Sequence, residues 1–268
     1  MKGRVLICAG SDSGGGAGIQ ADIKAVTALG GFAMTAITAL TAQNTLGVQG
    51  VVGVTPDFIR QQMRSVLEDL GADALKTGML HDAATIHAVC DEIAALAPEL
   101  PLVADPVMVA TAGSRLLADD AVETLRQRLL PMAVVITPNI PEAEELTGLT
   151  ITDEAGMRAA AQALLAMGAR AVLLKGGHME GEFLVDLLVT PQIVQRYEDR
   201  RIVTRHTHGT GCTLASSVAV GLAQGLELEP AVRRARAYVR AAILRAPGLG
   251  AGNGPLDHGV TVDTSRFD

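Results

Sequence analysis

A glycine-rich segment at residues 206–213 reads His-Thr-His-Gly-Thr-Gly-Cys-Thr and runs directly into an apolar stretch with helical spacing. Such a turn leaves backbone N–H groups unpaired at the positive end of a helix dipole, which is the geometry that binds phosphate. The dipole is also expected to lower the pKa of the Cys212 thiol and favour the thiolate. Gly209, Thr210, Gly211 and Cys212 are therefore candidates for an anion site and a catalytic base. A tight left-handed turn followed by a small packing cysteine is the open alternative.

Three further segments place polar residues directly after short apolar runs. Asp105 ends one run, Asn139 and Glu142 follow the next, and Lys175 follows a third. Carboxylate and amide oxygens at this spacing suit Mg²⁺ that carries a nucleotide phosphate, often through water. The alternative for Asn139 and Glu142 is a helix cap with its first-turn acid, and that for Lys175 is an exposed residue in a β-turn.

Lysine is scarce in this chain. Among 22 basic residues the lysines are Lys2, Lys24, Lys76 and Lys175. Because lysine and arginine are not interchangeable at phosphate sites, lysines at strand ends are candidates for a functional ammonium group. Chance retention is the preferred interpretation of Lys2 and Lys24.

A second glycine-dense loop, residues 9–18, follows the first apolar run and opens a helix. A dinucleotide-binding loop needs an acidic residue about 20 positions further on, at the end of the second strand. None stands between Asp22 and Asp57, and the chain contains no Walker-type G-x-x-x-x-G-K-[ST] segment. By itself this loop predicts only a permissive turn.

The elements that must position these residues alternate regularly. Short β-branched runs are each followed by a helix-length segment, which predicts a mainly parallel sheet covered on both faces. Between residues 183 and 203 the pattern changes to short strands typical of an antiparallel edge, and two helices follow. No linker or repeat is present, so we predict a single domain over residues 1–268. The predicted strands are 5–9, 35–41, 74–76, 102–105, 134–137 and 171–174, and the two closing helices are 212–226 and 230–245.

Composition excludes several classes of protein. The 268 residues are 49% apolar with a mean hydropathy of +0.30, yet no apolar run approaches the roughly 20 residues that a membrane span needs. The net charge of −7, with no Trp, two Tyr and four Phe, argues against a nucleic-acid-binding surface. We therefore expect neither a membrane nor a nucleic acid as a partner.

The cysteines indicate a reducing compartment. Cys8, Cys90 and Cys212 lie far apart and form neither a disulfide framework nor a C-x-x-C pair. We therefore expect a cytoplasmic protein. His206 and His208 could imitate a zinc site with Cys212, but a fourth ligand at usable spacing is missing.

Seven segments occur in one order along residues 8–258: A-G-S-D-S-G-G-G-A-G-I-Q-A-D, T-A-Q-N-T-x-G-V-Q, K-T-G-M-L, D-P-V, T-P-N-x-P-E, K-G-G-H and H-G-T-G-C-T. Their combination resembles the hydroxymethylpyrimidine and phosphomethylpyrimidine kinases of thiamine biosynthesis, which belong to the ribokinase-like superfamily. The resemblance implies an α/β, three-layer ribokinase-like fold whose mainly parallel central sheet has an antiparallel edge and helices on both faces. It also implies ATP-dependent phosphorylation of hydroxymethylpyrimidine to its monophosphate and then to the diphosphate.

The resemblance assigns a role to each matching position. It makes Cys212 the base and Lys175 the lysine near the ATP phosphates, and it implies Mg²⁺ and ATP, with a monovalent cation left open. The small molecules are the expected partners, and a homodimer is one open option for the assembly. The residues implied around the anion, the phosphates and the metal are Gly209, Thr210, Gly211, Thr207, Asp105, Asn139 and Glu142, of which Asp105 and Glu142 would hold Mg²⁺ directly or through water.

The pyrimidine is expected to be recognised by Gln43. A side-chain amide offers a donor and an acceptor together, and these can pair with the amino group and ring nitrogen of an aminopyrimidine. The residues implied to line its pocket are Gly10, Ala17, Asp22, Met79 and Val107.

Two positions depart from the wider pattern. Most of the superfamily has Asp where Cys212 stands, and Asn253 occupies a position where many relatives have His. Two other functions stay open. One is a pyridoxine or pyridoxal kinase of the same superfamily, since such a substrate is also a six-membered nitrogen heterocycle with a hydroxymethyl arm. The other is a non-catalytic phosphate-binding or regulatory module in which Cys212 only packs.

Overall fold

The sheet is the organising element of the fold. The computed structural model describes residues 2–109, 113, 116–118 and 120–265, and in this part of the chain nine strands form one sheet in the order β3-β2-β1-β4-β5-β6-β7-β8-β9. The strands are β1 Arg4–Asp12, β2 Phe32–Asn44, β3 Gly47–Gly53, β4 Ala74–Thr77, β5 Leu102–Ala104, β6 Val135–Ile136, β7 Val172–Leu174, β8 Phe183–Val189 and β9 Val194–Arg200.

The middle of the sheet is parallel and both edges are antiparallel. In sheet order, the neighbouring strands β2, β1, β4, β5, β6 and β7 pair in parallel. Strands β8 and β9 form the predicted antiparallel edge. A second antiparallel edge was missed, because β2 continues to Asn44 and turns back into β3. Three of the seven residues of β3 are glycines, a residue type that is depleted in strands, so the sequence pattern concealed this edge.

Helices connect the parallel strands. The two closing helices are confirmed within two to three residues of the predicted bounds, the ordinary uncertainty at helix ends. The helices are α1 Gly18–Ala28, α2 Pro56–Asp69, α3 Ala83–Leu96, α4 Ala121–Thr124, which continues as a π-helical turn Leu125–Leu129 and a 3₁₀ turn Leu130–Met132, α5 Ile140–Thr147, α6 Glu154–Ala166, α7 Thr210–Ala223 and α8 Leu228–Leu244.

Side chains of the central strands alternate between two cores. Leu6 and Cys8 of β1 face one apolar cluster, which also receives α2, α3, α5 and α6. Val5 and Ile7 face the other, which receives α1, α7 and α8. Because successive strand residues point to opposite faces, one sheet supports both cores. The three-layer α/β fold with helices on both faces is confirmed.

The fold places the ends of its parallel strands at one edge. Asp105 follows β5 directly, Asn139 follows β6 after two intervening residues, and Lys175 follows β7 directly. In sheets of this type ligands bind beyond the carboxyl ends of the strands. None of the helices in the described ranges is long and apolar enough to cross a membrane.

Candidate active site

A cavity of about 630 Å³ lies at the carboxyl ends of the parallel strands. It brings together nearly all the residues that the sequence singled out, from segments as far apart as residues 10 and 212. The predicted residues that line it are Gly10, Ala17, Gln43, Met79, Asp105, Val107, Asn139, Glu142, Lys175, Thr207, Gly209, Thr210, Gly211 and Cys212.

The start of α7 forms one wall of the cavity. Gly209 is the N-cap residue in the left-handed conformation, with φ of +83°. A Cβ atom there would lie 1.9 Å from the carbonyl oxygen of Gly16, so only glycine fits. Thr210 closes the turn by donating its hydroxyl hydrogen to the carbonyl of Thr207 at 3.0 Å. The Thr210 N–H donates to the Thr207 carbonyl. The next N–H groups, those of Gly211 and Cys212, have no side-chain cap, and both residues line the cavity, which is the predicted anion-binding geometry.

Lys175 and Asp105 form a buried ion pair beside this turn. Lys175 Nζ lies 3.1 Å from Asp105 Oδ1, and Thr137 donates its hydroxyl hydrogen to the same oxygen at 2.8 Å. Burial lowers the pKa of Lys175, but the charges of Asp105 and Glu142 outweigh burial and raise it. The lysine is therefore charged at neutral pH, and its side chain is only 15% exposed. The alternative of an exposed turn residue is wrong, because Lys175 packs against the cavity floor.

Asn139 and Glu142 form the capping box of α5. Asn139 Oδ1 accepts from the Glu142 N–H at 2.9 Å, and Glu142 Oε2 accepts from the Asn139 N–H at 2.8 Å. The cap that the sequence left open as an alternative is thus present, and both residues also line the cavity. Burial raises the pKa of Glu142 to about 7, although the nearby Lys175 charge opposes this.

Those carboxylates fit a divalent cation. Glu142 is 6% exposed and Asp105 is 2% exposed, and the charged form of Glu142 is disfavoured by burial. A cation between the two would supply the positive charge that burial makes favourable. No group of three His, Cys, Asp or Glu side chains suited to a metal occurs among the described residues. Phosphate or water oxygens would therefore have to complete the octahedral coordination of Mg²⁺.

Cys212 lies in the first turn of α7, facing the cavity. The expectation of a lowered thiol pKa is wrong. Burial raises the pKa of Cys212 to about 12, and the Lys76 charge and a hydrogen bond from the Gly18 backbone N–H only partly oppose this. The helix dipole is a modest effect, whereas desolvation of a thiolate is a large one.

Asp22 does not line the cavity, which corrects the prediction that it forms part of the substrate pocket. The side chain is fully buried, and its two oxygens lie 3.0 and 2.9 Å from Lys76 Nζ. Ser216 donates its hydroxyl hydrogen to Asp22 at 2.6 Å. Asp22 faces the interior because α1 packs this side against β4 and α7, and Lys76 rather than Asp22 reaches the cavity wall.

The pocket around Gln43 carries both polar and apolar groups. Gln43 Oε1 accepts from the Thr41 hydroxyl at 3.2 Å, and Met79 and Val107 supply apolar surface. A Cβ atom at Gly10 would lie 2.9 Å from the Met79 sulfur, so the glycine allows the thioether to approach β1. This arrangement fits a small planar ring with a polar edge.

A tie between the two glycine-rich loops escaped the sequence-based prediction. His208 Nε2 lies 2.9 Å from Asp12 Oδ2, and Asp12 also accepts from the backbone N–H groups of Gly14, Gly16 and Ala17. Burial raises the pKa of Asp12, but these hydrogen bonds outweigh burial and lower it. Asp12 and His208 are 196 residues apart, so no local pattern connects them.

The far end of the cavity was also missed. It continues past Lys175 to apolar side chains of α8 and β8, Val239, Ile243 and Leu184, and to Arg236 and Arg240. Helix α8 reads as an amphipathic surface helix, and only its packing shows that part of one face borders the cavity. Asn253 is not among the lining residues described; its backbone N–H donates to the Thr45 carbonyl at 2.9 Å.

An anion-binding helix start next to a lysine and two acidic groups is suited to the transfer of a phosphoryl group. On a sheet with helices on both faces, this arrangement defines the class of ribokinase-like phosphotransferases. Comparison with known proteins agrees. A family model for phosphomethylpyrimidine kinase matches residues 12–257. The chain belongs to the phosphomethylpyrimidine kinase family, which confirms the predicted family, fold and kinase class.

Individual relatives support this assignment. The chain is 50% identical over 255 residues to a hydroxymethylpyrimidine/phosphomethylpyrimidine kinase of Streptomyces coelicolor, covering 95% of this chain and 94% of that protein. It is 49% identical to the thiamine biosynthesis bifunctional protein ThiED of Geobacter sulfurreducens over 99% of this chain, and it spans about half, 54%, of that longer relative. The crystal structure of an ADP complex of Bacillus subtilis pyridoxal kinase superposes with a TM-score of 0.88 at 34% identity over 100% of both chains.

Proposed function

We propose that this protein uses ATP to phosphorylate hydroxymethylpyrimidine to its monophosphate and then to the diphosphate, as part of thiamine biosynthesis. The observation that carries the proposal is the placement of the Lys175–Asp105 pair against the start of α7. A Cβ atom on Gly211 would lie 3.1 Å from Lys175 Nζ, so the ammonium and the N–H groups of α7 converge on one small volume. That volume lies between the Gln43 pocket and the α8 end of the cavity.

Two ends of the cavity would hold the two substrates. The pyrimidine would lie with its ring against Met79 and Val107 and its polar edge at Gln43. The nucleotide would lie towards the apolar residues of α8, where Val239 and Ile243 offer surface for a base. The transferred phosphoryl group would then lie at the α7 turn.

Charge neutralisation would be the main catalytic effect. Phosphoryl transfer needs little covalent help from the protein, and the negative charge on the transferred group is spread over its oxygens. The N–H groups of Gly209, Gly211 and Cys212 and the Lys175 ammonium would stabilise that charge in a preorganised way. Mg²⁺ held near Asp105 and Glu142 would, when bound, neutralise phosphate charge.

The oxygen of the substrate hydroxyl would bond to the γ-phosphorus of ATP while the bond from that phosphorus to the leaving ADP oxygen breaks. Cys212 would accept the proton that this hydroxyl loses. The high pKa of the free thiol means that only a small fraction is thiolate at neutral pH. In a loose transition state the hydroxyl oxygen keeps its proton until late, so a small thiolate population is compatible with turnover.

The test is a mass-spectrometric assay of the purified protein with ATP, Mg²⁺ and hydroxymethylpyrimidine. We expect the monophosphate to appear first and the diphosphate to follow, with one ADP released per phosphate transferred. Absence of both products with this substrate would refute the proposal, and formation of the monophosphate alone would remove its second step.

Pyridoxal phosphorylation is the second candidate activity. The similarity in fold to the Bacillus subtilis pyridoxal kinase favours it, while the higher identity to hydroxymethylpyrimidine kinases favours the pyrimidine. Parallel assays with pyridoxal should give a kcat/KM at least about tenfold lower than with the pyrimidine. If the protein binds the pyrimidine and pyridoxal but neither hydrolyses ATP nor forms a product, it is instead the non-catalytic module.

We further propose a cytoplasmic location, which the three separate thiols support. From the family resemblance we also propose a requirement for a monovalent cation and assembly as a homodimer. Activity with and without K⁺, and sedimentation of the purified protein, would test them.

A further inference from the structure

A buried charge pair lies beneath the candidate base. Lys76 and Asp22 are both 0% exposed and form a two-oxygen contact at 2.9 and 3.0 Å. Ser216 adds a hydrogen bond to Asp22 at 2.6 Å. A buried ion pair contributes little to stability compared with apolar residues of equal volume, so its location calls for a functional reason.

The pair is bonded to α7 one helical turn after the thiol. Cys212 and Ser216 are four residues apart on α7 and so share one helix face, one turn apart. The other helix repeats this spacing. On α1, Gly18 lines the same cavity as Cys212 and its backbone favours the Cys212 thiolate. Asp22, four residues later, accepts from Ser216. Two packed helices therefore place the thiol and the ion pair in consecutive layers.

The absence of a side chain at Gly78 leaves space for the Lys76 ammonium group. A Cβ atom at Gly78 would lie 2.9 Å from Lys76 Nζ, although the backbone of Gly78 is not in the left-handed region that requires glycine. Space for the ammonium is thus a reason for glycine at this position. Both Lys76 and Gly78 belong to the cavity wall that also contains Cys212.

Charged groups from four elements face this layer. Lys76 of β4 favours the Cys212 thiolate, and its effect is larger than that of either opposing carboxylate taken singly, Asp22 of α1 or Asp105 after β5. Lys175 after β7 also interacts with the Cys212 charge. Burial lowers the pKa of Lys76, but Asp22 and its other acidic neighbours outweigh burial and raise it, so Lys76 remains a cation.

We propose that Lys76, held in place by its ion pair with Asp22, is a positioning residue that keeps a positive charge near the Cys212 sulfur and thereby stabilises the thiolate that accepts the substrate proton. The catalytic part of this inference rests on the proposed function. The electrostatic part concerns the free protein and is tested without turnover. Because the Lys76 side chain is 0% exposed, we assign it an action through the Cys212 sulfur rather than on the substrate directly.

The test is the rate of alkylation of Cys212 by iodoacetamide between pH 7.5 and 9.5, followed by mass spectrometry of the Cys212 peptide. Only the thiolate reacts appreciably, so the rate reports the thiolate fraction. Lys76→Met should slow the reaction about tenfold at each pH, the effect of one pKa unit. The fully buried Cys8 and Cys90 serve as internal controls that report unfolding.

Matched variants separate charge from structure. Asp22→Asn/Lys76→Met removes both buried charges and should still react at least about threefold more slowly than wild type, because the lysine has the larger effect on the thiol. Ser216→Ala keeps both charges and should react within about twofold of wild type. Glu92→Gln removes a buried carboxylate from a remote ion pair with Arg64 and should not alter the rate.

Wild-type alkylation rates in Lys76→Met would overturn the inference. If that variant does not fold, a wild-type rate in the double variant would do the same. In turnover, Lys76→Met should lower kcat with the KM for ATP unchanged, and the loss should shrink as the pH rises. Full activity of Cys212→Ala would refute the proton-acceptor role alone, and the alkylation rates would still decide the charge assignment.

Discussion

At the residue scale, the chemistry of the site depends on a half-buried thiol that its surroundings desolvate. Cys212 faces the cavity, yet desolvation raises its pKa to about 12. Lys175 and Asp105 neutralise each other in the same small volume, and Glu142 is held with a pKa near 7. Cys212 and Glu142 therefore have pKa values set by their surroundings, and each gives a distinct pH signature.

The first prediction concerns Cys212 as proton acceptor. Cys212→Ala should fold and bind substrate but lose about 10²–10⁴-fold in kcat, the usual cost of removing a proton acceptor. Cys212→Asp should recover part of this, since a carboxylate at a helix start is readily ionised. Steady-state kinetics with both substrates measures the effect, and nearly full activity of the alanine variant would leave the α7 turn as an anion site only.

The pH profile follows from the same thiol. Its pKa lies near 12, so the thiolate fraction grows about tenfold per pH unit throughout the neutral range. The kcat/KM of the wild type should rise from pH 7 to pH 9 without levelling near the ordinary thiol value, whereas that of Cys212→Asp should be nearly flat. A wild-type plateau beginning near pH 8 would contradict the buried-thiol assignment.

Glu142 gives a prediction for stability. A carboxyl whose pKa is about 7 when folded and 4.5 when unfolded stabilises the fold while it is protonated. This contribution is fully present below pH 4.5 and is lost as the pH rises through 7. In magnesium-free buffer, the wild type should lose up to about 3 kcal/mol of unfolding free energy relative to Glu142→Gln between pH 5 and pH 8.

Urea unfolding at the two pH values measures this difference. The control is Glu123→Gln, because Glu123 is an exposed carboxylate that is ionised throughout this range in both states. A constant difference between wild type and Glu142→Gln would show that Glu142 ionises normally in the fold.

At the element scale, the start of α7 is held by contact with another loop. Gly209 combines a left-handed backbone with contact to the Gly16 carbonyl, and His208 hydrogen-bonds to Asp12 in that same loop. The anion-binding turn is therefore fixed from outside the helix. Precise placement of its N–H donors depends on the loop between β1 and α1.

Alanine substitution tests this fixation. Gly225, after the other end of α7, also has a left-handed backbone, with φ of +85°, but open space around it. Gly225→Ala should cost only about 1–2 kcal/mol of backbone strain and leave kcat/KM unchanged. Gly209→Ala should cost backbone strain too, and in addition it should lower kcat/KM at least about 100-fold, because it displaces preorganised donors. Equal kinetics for both variants would show that the turn tolerates displacement.

At the scale of the whole molecule, one sheet carries both cores. Leu6 and Ile7, adjacent on β1, belong to different apolar clusters, so neither layer of helices has a separate sheet of its own. The predicted single domain follows if the two cores unfold together. The substrate-binding and nucleotide-binding ends of the cavity would then belong to one cooperative unit.

We predict one cooperative transition on equilibrium unfolding in urea. Far-UV circular dichroism reports the helices of both faces of the sheet. Tyrosine fluorescence reports Tyr197 on the edge strand β9 and Tyr238 on helix α8. The two signals should give coincident midpoints. Addition of ADP with Mg²⁺ should shift both midpoints equally, because a ligand that binds only the native state stabilises it as a whole. Separate midpoints would indicate two domains.

Much of this architecture was readable in the sequence because its signals are local. Apolar runs followed by helical spacing predicted the parallel strands and the two closing helices, and glycine-rich turns marked both loops of the site. The second antiparallel edge was not predicted, because β3 is rich in glycine. The partners of Asp12 and Lys76 were also invisible, since His208 and Asp22 lie 196 and 54 residues away.

The sequence by itself determined the family and the fold class, and nearly every residue that it predicted for the site lines the cavity, because ordered motifs and strand-end positions are properties of the chain. Only the tertiary structure decided the ionisation of those residues. It desolvated the half-buried Cys212 and so raised its pKa, turned Asp22 away from the substrate pocket towards Lys76, and joined Lys175 to Asp105. The physical reason is that desolvation and ion pairing depend on which distant groups share a low-dielectric volume, and neighbours in sequence do not specify that volume.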